Sequence, residues 1–226
     1  MWDTLPLGKA TSIVNGGTPK SKTAEYWGGG VQWITPKDMG ALSDYKVSRT
    51  SRTISQAGLE KSSAKLVPEN SVILSTRAPI GHLAINIVPM AFNQGCRGLV
   101  PSEQLTTMFL FYFLKASVSL LDSLGTGATF RELSKGALEK VQIPLPPLPE
   151  QKRIVAILDE AFEGIDAAIA NTQKNLTNAR ELFESYLNNI FTQKGDGWVE
   201  KKLGDVYDVR DGTHDSPKYQ EKAVHW

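Results

Sequence analysis

Apolar positions follow two rhythms along this chain. From the middle of the sequence onward they fall at Ile154, Leu158, Ala161, Ile165, Ala168, Thr172, Leu176, Ala179, Phe183, Tyr186 and Ile190, in steps of four and three with one irregularity near Thr172. This is a nearly unbroken heptad seam. It predicts one helix over residues 150–192, roughly 60 Å long at 1.5 Å per residue. A helix of that length cannot cover its own stripe, so the seam calls for a partner helix from the same or another chain. Ala161, Ala168 and Ala179 predict close approach of that partner. The competing reading is a long helix lying on its own globular domain. Pro149 suits the first helical turn, where a missing N–H costs nothing, and Gly195-Asp196-Gly197 supplies the stop.

The first 145 residues have a shorter rhythm. Strand-type runs occur at Val31–Ile34, Ser71–Ser75 and Leu83–Val88, and Gly16-Gly17, Gly28-Gly29-Gly30 and Gly125-Thr126-Gly127 punctuate them. The stretch Thr106–Leu121, with Met108, Phe109, Phe111, Tyr112, Leu114 and Leu120, predicts a buried helix. The fold class expected is α+β: a mixed globular domain with long loops over residues 1–147, then a long coiled-coil helix over 148–194. Pro144, Pro146, Pro147 and Pro149 make the junction a stiff, extended connector.

After the helix the opening of the chain returns. Trp2, Leu7 and Gly8 recur as Trp198, Leu203 and Gly204, and Asn15-Gly16 is answered by Asp211-Gly212, all at one offset. Residues 195–226 therefore read as the start of a second, truncated copy of the first domain.

Composition narrows the function classes. The chain has 226 residues and a net charge of +1, but residues 1–145 hold 15 Lys and Arg against 10 Asp and Glu, so the basic excess sits in the globular segment. No 18-residue apolar run exists, so no membrane span is expected. A single cysteine, Cys96, and the lack of a secretory leader fit a cytoplasmic protein. Catalytic chemistry finds no support. Pro146-Pro147 is flanked by Leu145 and Leu148, unlike the loop that holds a target amine in an amino-methyltransferase. Glu150-Gln151-Lys152 has a Glu-x-Lys spacing but opens the helix, and reads as first-turn charge. No phosphate-binding Walker loop occurs, and His82, His214, His225 and Cys96 are too scattered for zinc. No metal and no cofactor are expected on this chain.

A globular domain, a proline connector, a long helix and a second domain start resemble the layout of type I restriction–modification specificity subunits. Local sequences resemble that family too. Pro144–Val155 looks like the junction that ends a target recognition domain and begins its helix. Trp2, Leu7-Gly8 and Gly16-Gly17-Thr18-Pro19 look like a recognition-domain start, and Trp33–Asp38, Ser75–Gly81, Asn93–Cys96 and Gly125–Thr129 resemble family segments. The resemblance implies a non-catalytic subunit that reads half of a bipartite double-stranded DNA target. It implies paired helices that set the distance between two recognition domains. It also implies methyltransferase (modification) subunits docked on that frame, and a restriction subunit joining through the complex. S-adenosylmethionine, ATP and Mg²⁺ would then sit on those partners only. Two copies of this chain could pair as a homodimer through Ile154, Leu158, Ala161, Ile165, Ala168, Leu176, Ala179, Phe183, Tyr186 and Ile190.

On this reading the first domain carries the DNA contacts. Phosphates are assigned to Thr18, Lys20, Lys22, Thr35, Lys37, Thr76 and Thr129, and base edges to Arg77, Asn93, Gln94, Arg97 and Arg131. Each has a structural alternative: Asn93 and Gln94 as turn caps, Arg131 as a partner of Glu132. The alternative for the whole chain is a coiled-coil scaffold whose head binds no DNA.

Overall fold

The computed structural model describes residues 2–77, 79–127, 131–193, 195–208, 210 and 212. Two compact units divide within the long helix, Met1–Ile165 and Asp166–Trp226.

The first unit is α+β. In chain order its elements are β1 (Thr4–Pro6), α1 (Leu7–Ala10), β2 (Thr11–Asn15), β3 (Trp27–Ile34), α2 (Pro36–Gly40), β4 (Lys46–Val47), β5 (Thr53–Ile54), α3 (Gln56–Glu60), β6 (Leu66–Val67), β7 (Val72–Thr76), β8 (Ile80–Asn86), β9 (Met90–Phe92), β10 (Cys96–Pro101), α4 (Thr107–Ala116), α5 (Val118–Ser123), α6 (Lys135–Lys140) and β11 (Gln142–Pro144). Helix α7 (Leu148–Thr192) follows and runs into the second unit, which also holds α8 (Leu203–Val206). The strands form a five-stranded sheet ordered β2-β10-β7-β8-β4, a four-stranded sheet ordered β5-β3-β9-β6, and a β1-β11 pair. The expected strands at 31–34, 71–75 and 83–88 fall in β3, β7 and β8, though β8 starts three residues earlier and stops at Asn86.

One core lies between the larger sheet and helices α4 and α5. It is built from Leu7, Val72, Leu74, Leu99, Phe109, Leu110, Leu114, Leu121, Leu138 and Ile143. Burying a leucine or phenylalanine side chain contributes about 1.5–3 kcal/mol, so this cluster supplies most of the drive for the domain to close. A second cluster, Ile34, Met39, Ile73, Met90, Phe92 and Cys96, lies where the two sheets approach.

The single helix expected over Thr106–Leu121 is two. It breaks at Ser117, whose backbone N–H donates to Leu114 O at 3.1 Å and closes α4 before α5 starts. The break turns α5 toward β8, where the Val118 methyl meets Gly81. Gly81 has φ +107°, a conformation side chains rarely adopt, and an added Cβ there would lie 2.6 Å from that methyl. Leu120, expected in the core, stays half exposed.

Helix α7 has 45 residues, about 68 Å of helix. Its opening turns belong to the first unit. Ile154, Val155, Leu158 and Phe162 pack on the core, and the Phe162 ring stacks on Tyr112 at 5.7 Å. Gln151 is fully buried. Its amide donates to Gln104 O at 2.7 Å and Pro146 O at 2.9 Å and accepts from Thr106 N at 2.9 Å, tying the helix start to the N-cap of α4. About two turns further along α7, Tyr112 donates to Asp159 at 2.5 Å. Glu150 supplies the first-turn charge that the Glu-Gln-Lys run predicts and pairs with Arg153 outside at 2.7 Å, while Gln151 between the charged residues turns in.

In the second unit the stripe is open. Leu176, Phe183, Tyr186 and Ile190 are exposed, as is Ile165 at the boundary. The seam irregularity at Thr172 coincides with its hydroxyl bonding back to Ala168 O at 2.8 Å. The sequence repeat recurs in backbone form. α1 is entered from Pro6 (φ −58°, ψ 138°) and left at Thr11 (φ −141°, ψ 156°); α8 is entered from Lys202 (φ −67°, ψ 142°) and left at Tyr207 (φ −134°, ψ 147°).

Candidate nucleic-acid interface

Five segments converge at one edge of the first unit, where β2, β3, β7 and β9 end and β10 begins. Two close approaches hold the 16–19 segment. Gly16 N donates to Cys96 O at 3.2 Å and Gly17 N to Phe92 O at 2.9 Å. A Cβ on Gly16 would lie 2.0 Å from Asn93 O, and one on Gly17 2.2 Å from the Ser63 carbonyl carbon, so only glycine lets the strands meet here. The Trp33 indole N–H donates to Gly17 O at 2.9 Å, and that of Trp27 to Lys20 O at 3.2 Å. Arg52 lies over the Trp27 ring at 3.6 Å.

The β9–β10 turn docks on this segment. Asn93 accepts from Gly95 N at 2.8 Å and donates to Thr18 Oγ1 at 3.0 Å, while the Thr18 hydroxyl donates to Gln94 Oε1. Asn93 is therefore a turn cap and a brace. Gln94 stays exposed. The 34–38 segment starts α2 with Thr35 as N-cap, Pro36 in the first turn and Asp38 closing a capping box. Thr35 donates to the Asp38 carboxylate at 2.7 Å. Burial works to raise the Asp38 pKa, but hydrogen bonds from Ser51 and Thr35 outweigh it and hold the carboxyl below its ordinary value. Lys37 points outward from this turn, and Lys20 and Lys22 are exposed on theirs. No ion pair engages these three lysines among the described residues.

Arg77, just after β7, and residues 125–127 and 131–133 complete the edge. Arg77 and Glu132 form an isolated antiparallel bridge, flanked by Leu133 N donating to Thr76 O at 3.0 Å. The Arg77 guanidinium reaches Glu132 Oε2 at 2.6 Å, and Arg97 reaches Oε1 at 3.5 Å. Arg131 pairs with Asp122 at 3.1 Å and donates to Asp122 O at 2.6 Å, not with Glu132.

Two assignments turn inward. Thr76 is fully buried and donates to Gly95 O at 3.1 Å, so its hydroxyl has no surface for a phosphate. Arg97 is 8% exposed and donates to Gln94 O and Cys96 O at 3.0 Å each. Burial lowers its pKa and Glu132 opposes that, so it serves as an internal strut. Thr129 lies outside the described residues. The sequence offers Glu132 only as a partner for Arg131, and nothing there sets its carboxylate apart as a site residue. On the helix, Ile154 and Leu158 are partly engaged by the domain's own core, whereas Ala161, Ile165, Ala168, Leu176, Ala179, Phe183, Tyr186 and Ile190 remain exposed.

The resulting edge exposes Lys20, Lys22, Lys37, Arg77 and the Gln94 amide, with no cluster of three or more potential metal-ligating side chains among the described residues. Comparison with known proteins places the chain in a family without assigning roles to these residues. The sequence model of the type I restriction modification DNA specificity domain matches residues 1–178. The MjaIX type I restriction enzyme specificity subunit of Methanocaldococcus jannaschii is 31% identical over 229 residues, covering 94% of this chain and 53% of that one. The EcoR124I/EcoR124II specificity subunit of Escherichia coli is 30% identical, covering 82% of this chain and 48% of that one. The solved HsdS subunit from Thermoanaerobacter tengcongensis superposes with a TM-score of 0.60 at 29% identity, over 74% of this chain and 38% of that one. The chain thus spans about half the length of the curated relatives it matches.

Proposed function

Because the chain belongs to the family of type I restriction modification DNA specificity domains, we propose that it recognises one half of a bipartite double-stranded DNA target and carries no catalytic step itself. The observation that carries this is the convergent edge. Lys20, Lys22 and Lys37 stand free at its rim, with Arg77 and Gln94 exposed among them. Lysines at a rim suit phosphates, which fix register, and an arginine and an amide suit base edges, which carry sequence. Thr18, Thr35 and Asn93 support these groups, and Arg131 has both terminal guanidinium nitrogens engaged by Asp122 and Gly125.

On this reading residues 1–147 are the recognition domain, 148–194 the spacer helix and 195–226 the start of a second unit. The long helix offers the exposed apolar face of Ala179, Leu182, Phe183, Tyr186, Leu187 and Ile190. A second copy of this chain, pairing antiparallel along that face, would place two recognition domains on one duplex and read an interrupted palindrome. Modification subunits carrying S-adenosylmethionine would dock on this frame, with ATP and Mg²⁺ on a restriction subunit, all in the cytoplasm.

Selection of bound duplexes from randomised DNA, with the modification subunit supplied, tests the proposal. A split motif is the expected result, and mirror-image halves support the dimer. Folded protein that enriches nothing at moderate salt overturns DNA recognition and leaves a coiled-coil scaffold with a head that binds no DNA.

A further inference from the structure

The Arg77–Glu132 pair differs from the other charges of the edge. Arg131 is as exposed as Arg77, but both of its terminal guanidinium nitrogens are engaged within its own segment, Nη1 by the Asp122 carboxylate and Nη2 by the Asp122 and Gly125 carbonyls. Arg97 is buried. Arg77 and Glu132 remain 47% and 32% exposed at their side chains, and a single guanidinium nitrogen of Arg77 makes the contact. Neither hangs from a free loop. Their backbones bridge each other, Glu132 N donates to Thr126 O at 2.9 Å, and Arg97 sits behind the carboxylate, anchored on two carbonyls. The edge therefore presents, at fixed spacing, a donor fork beside an acceptor.

A phosphate approaching Arg77 would meet the Glu132 carboxylate 2.6 Å from the same guanidinium and be repelled. A neutral base edge would not. In the major groove a G·C pair shows two acceptors on guanine, O6 and N7, next to one donor on cytosine, N4–H. Arg77 can use its free fork edge on guanine, while Glu132, with a second lone pair on each oxygen, can accept from cytosine. We propose that Arg77 and Glu132 act as one unit that reads a single G·C base pair of the half-site, Arg77 on guanine and Glu132 on cytosine. This rests on the DNA-recognition reading above and adds the identity of a base pair and the residue that shares in reading it.

The test uses the full chain with its modification subunit and randomised duplexes, comparing wild type, Arg77→Lys and Glu132→Gln. Lysine keeps the charge but not the fork. In the wild-type motif one G·C pair is expected whose discrimination falls at least about tenfold in Arg77→Lys, with the other positions kept. Glu132→Gln is expected to weaken discrimination at the same pair, with the other positions kept. Arg77→Lys that keeps the wild-type motif, or loses affinity for all sequences alike, overturns the proposal. So does a folded Glu132→Gln that alters a different position or none. Should Glu132→Gln fail to fold, the exposed Arg77 variant decides alone. Wild type that enriches no motif overturns DNA recognition itself, a distinct outcome.

Discussion

Arg77 and Glu132 are 55 residues apart in the chain and meet at 2.6 Å, and the same carboxylate holds Arg97 at 3.5 Å. The carboxylate thus faces outward to one arginine and inward to another. Glu132→Ala leaves the nearly buried Arg97 charge without its counter-ion. We expect a loss of about 1–3 kcal/mol, the range for an uncompensated buried donor, read as a lower urea midpoint at unchanged slope. Arg77→Ala, with its exposed side chain, should cost under about 1 kcal/mol in the same assay.

Lys37 stands free on the first turn of α2. Lys37→Ala is expected to weaken binding to every duplex alike and to lower the salt slope by about one counterion. A shifted base preference, seen by repeating the selection, would remove Lys37 from the phosphate contacts.

Gln151 is fully buried with three partners. Gln151→Leu leaves Thr106 N, Gln104 O and Pro146 O unpaired and should destabilise by about 2–4 kcal/mol, since each orphaned buried group costs about 1–3 kcal/mol when it cannot reach water. Equilibrium denaturation followed by tryptophan fluorescence measures it. Wild-type stability in the variant would mean that water replaces the amide.

Burial pushes the Cys96 thiol from its ordinary 9.0 up to about 12, Arg97 pulling it down and Asp38 adding to the rise. The folded state therefore prefers the neutral thiol. That preference contributes stability in full below pH 9, and the contribution is lost as pH rises toward about 12. Cys96→Ala should flatten the fall in stability across that window. At pH 8 the native thiol should resist alkylation and react only on unfolding, which mass spectrometry reads directly.

Leu176 and Phe183 lie exposed on the helix. If a second copy covers them, Leu176→Asp with Phe183→Asp should convert a two-chain mass by light scattering into a one-chain mass with the recognition domain still folded. A one-chain mass in the wild type would refute the homodimer.

Local periodicity was enough to reveal some of this molecule. The seam from Ile154 to Ile190, Pro149 in the first turn and the Gly195 stop place helix α7, and the Trp2/Trp198 offset anticipates a backbone turn that recurs at Leu203–Val206. What was illegible depends on distant partners. Gln151 resembles its exposed neighbours until Gln104 and Thr106 arrive around it. Ser117 looks like any helical serine until β8 draws α5 aside. Thr76 and Arg97 belong to segments that do reach the edge, but strand alternation and the β10 register turn them inward. Glu132 acquires meaning only when the end of β7 brings Arg77 to it.

The short β1–β11 pair, with Thr4 beside Pro144 and Pro6 beside Gln142, puts the entrance and the exit of the globular part side by side, directly before α7. The chain between these two strands enters and leaves through one doorway, and it is also clasped to α7 by Gln151 on Gln104 and Thr106 and by Tyr112 on Asp159 and Phe162. A body exchanged there as a cassette would need ends that meet at the same spacing and a face that buries Gln151 and packs against Phe162.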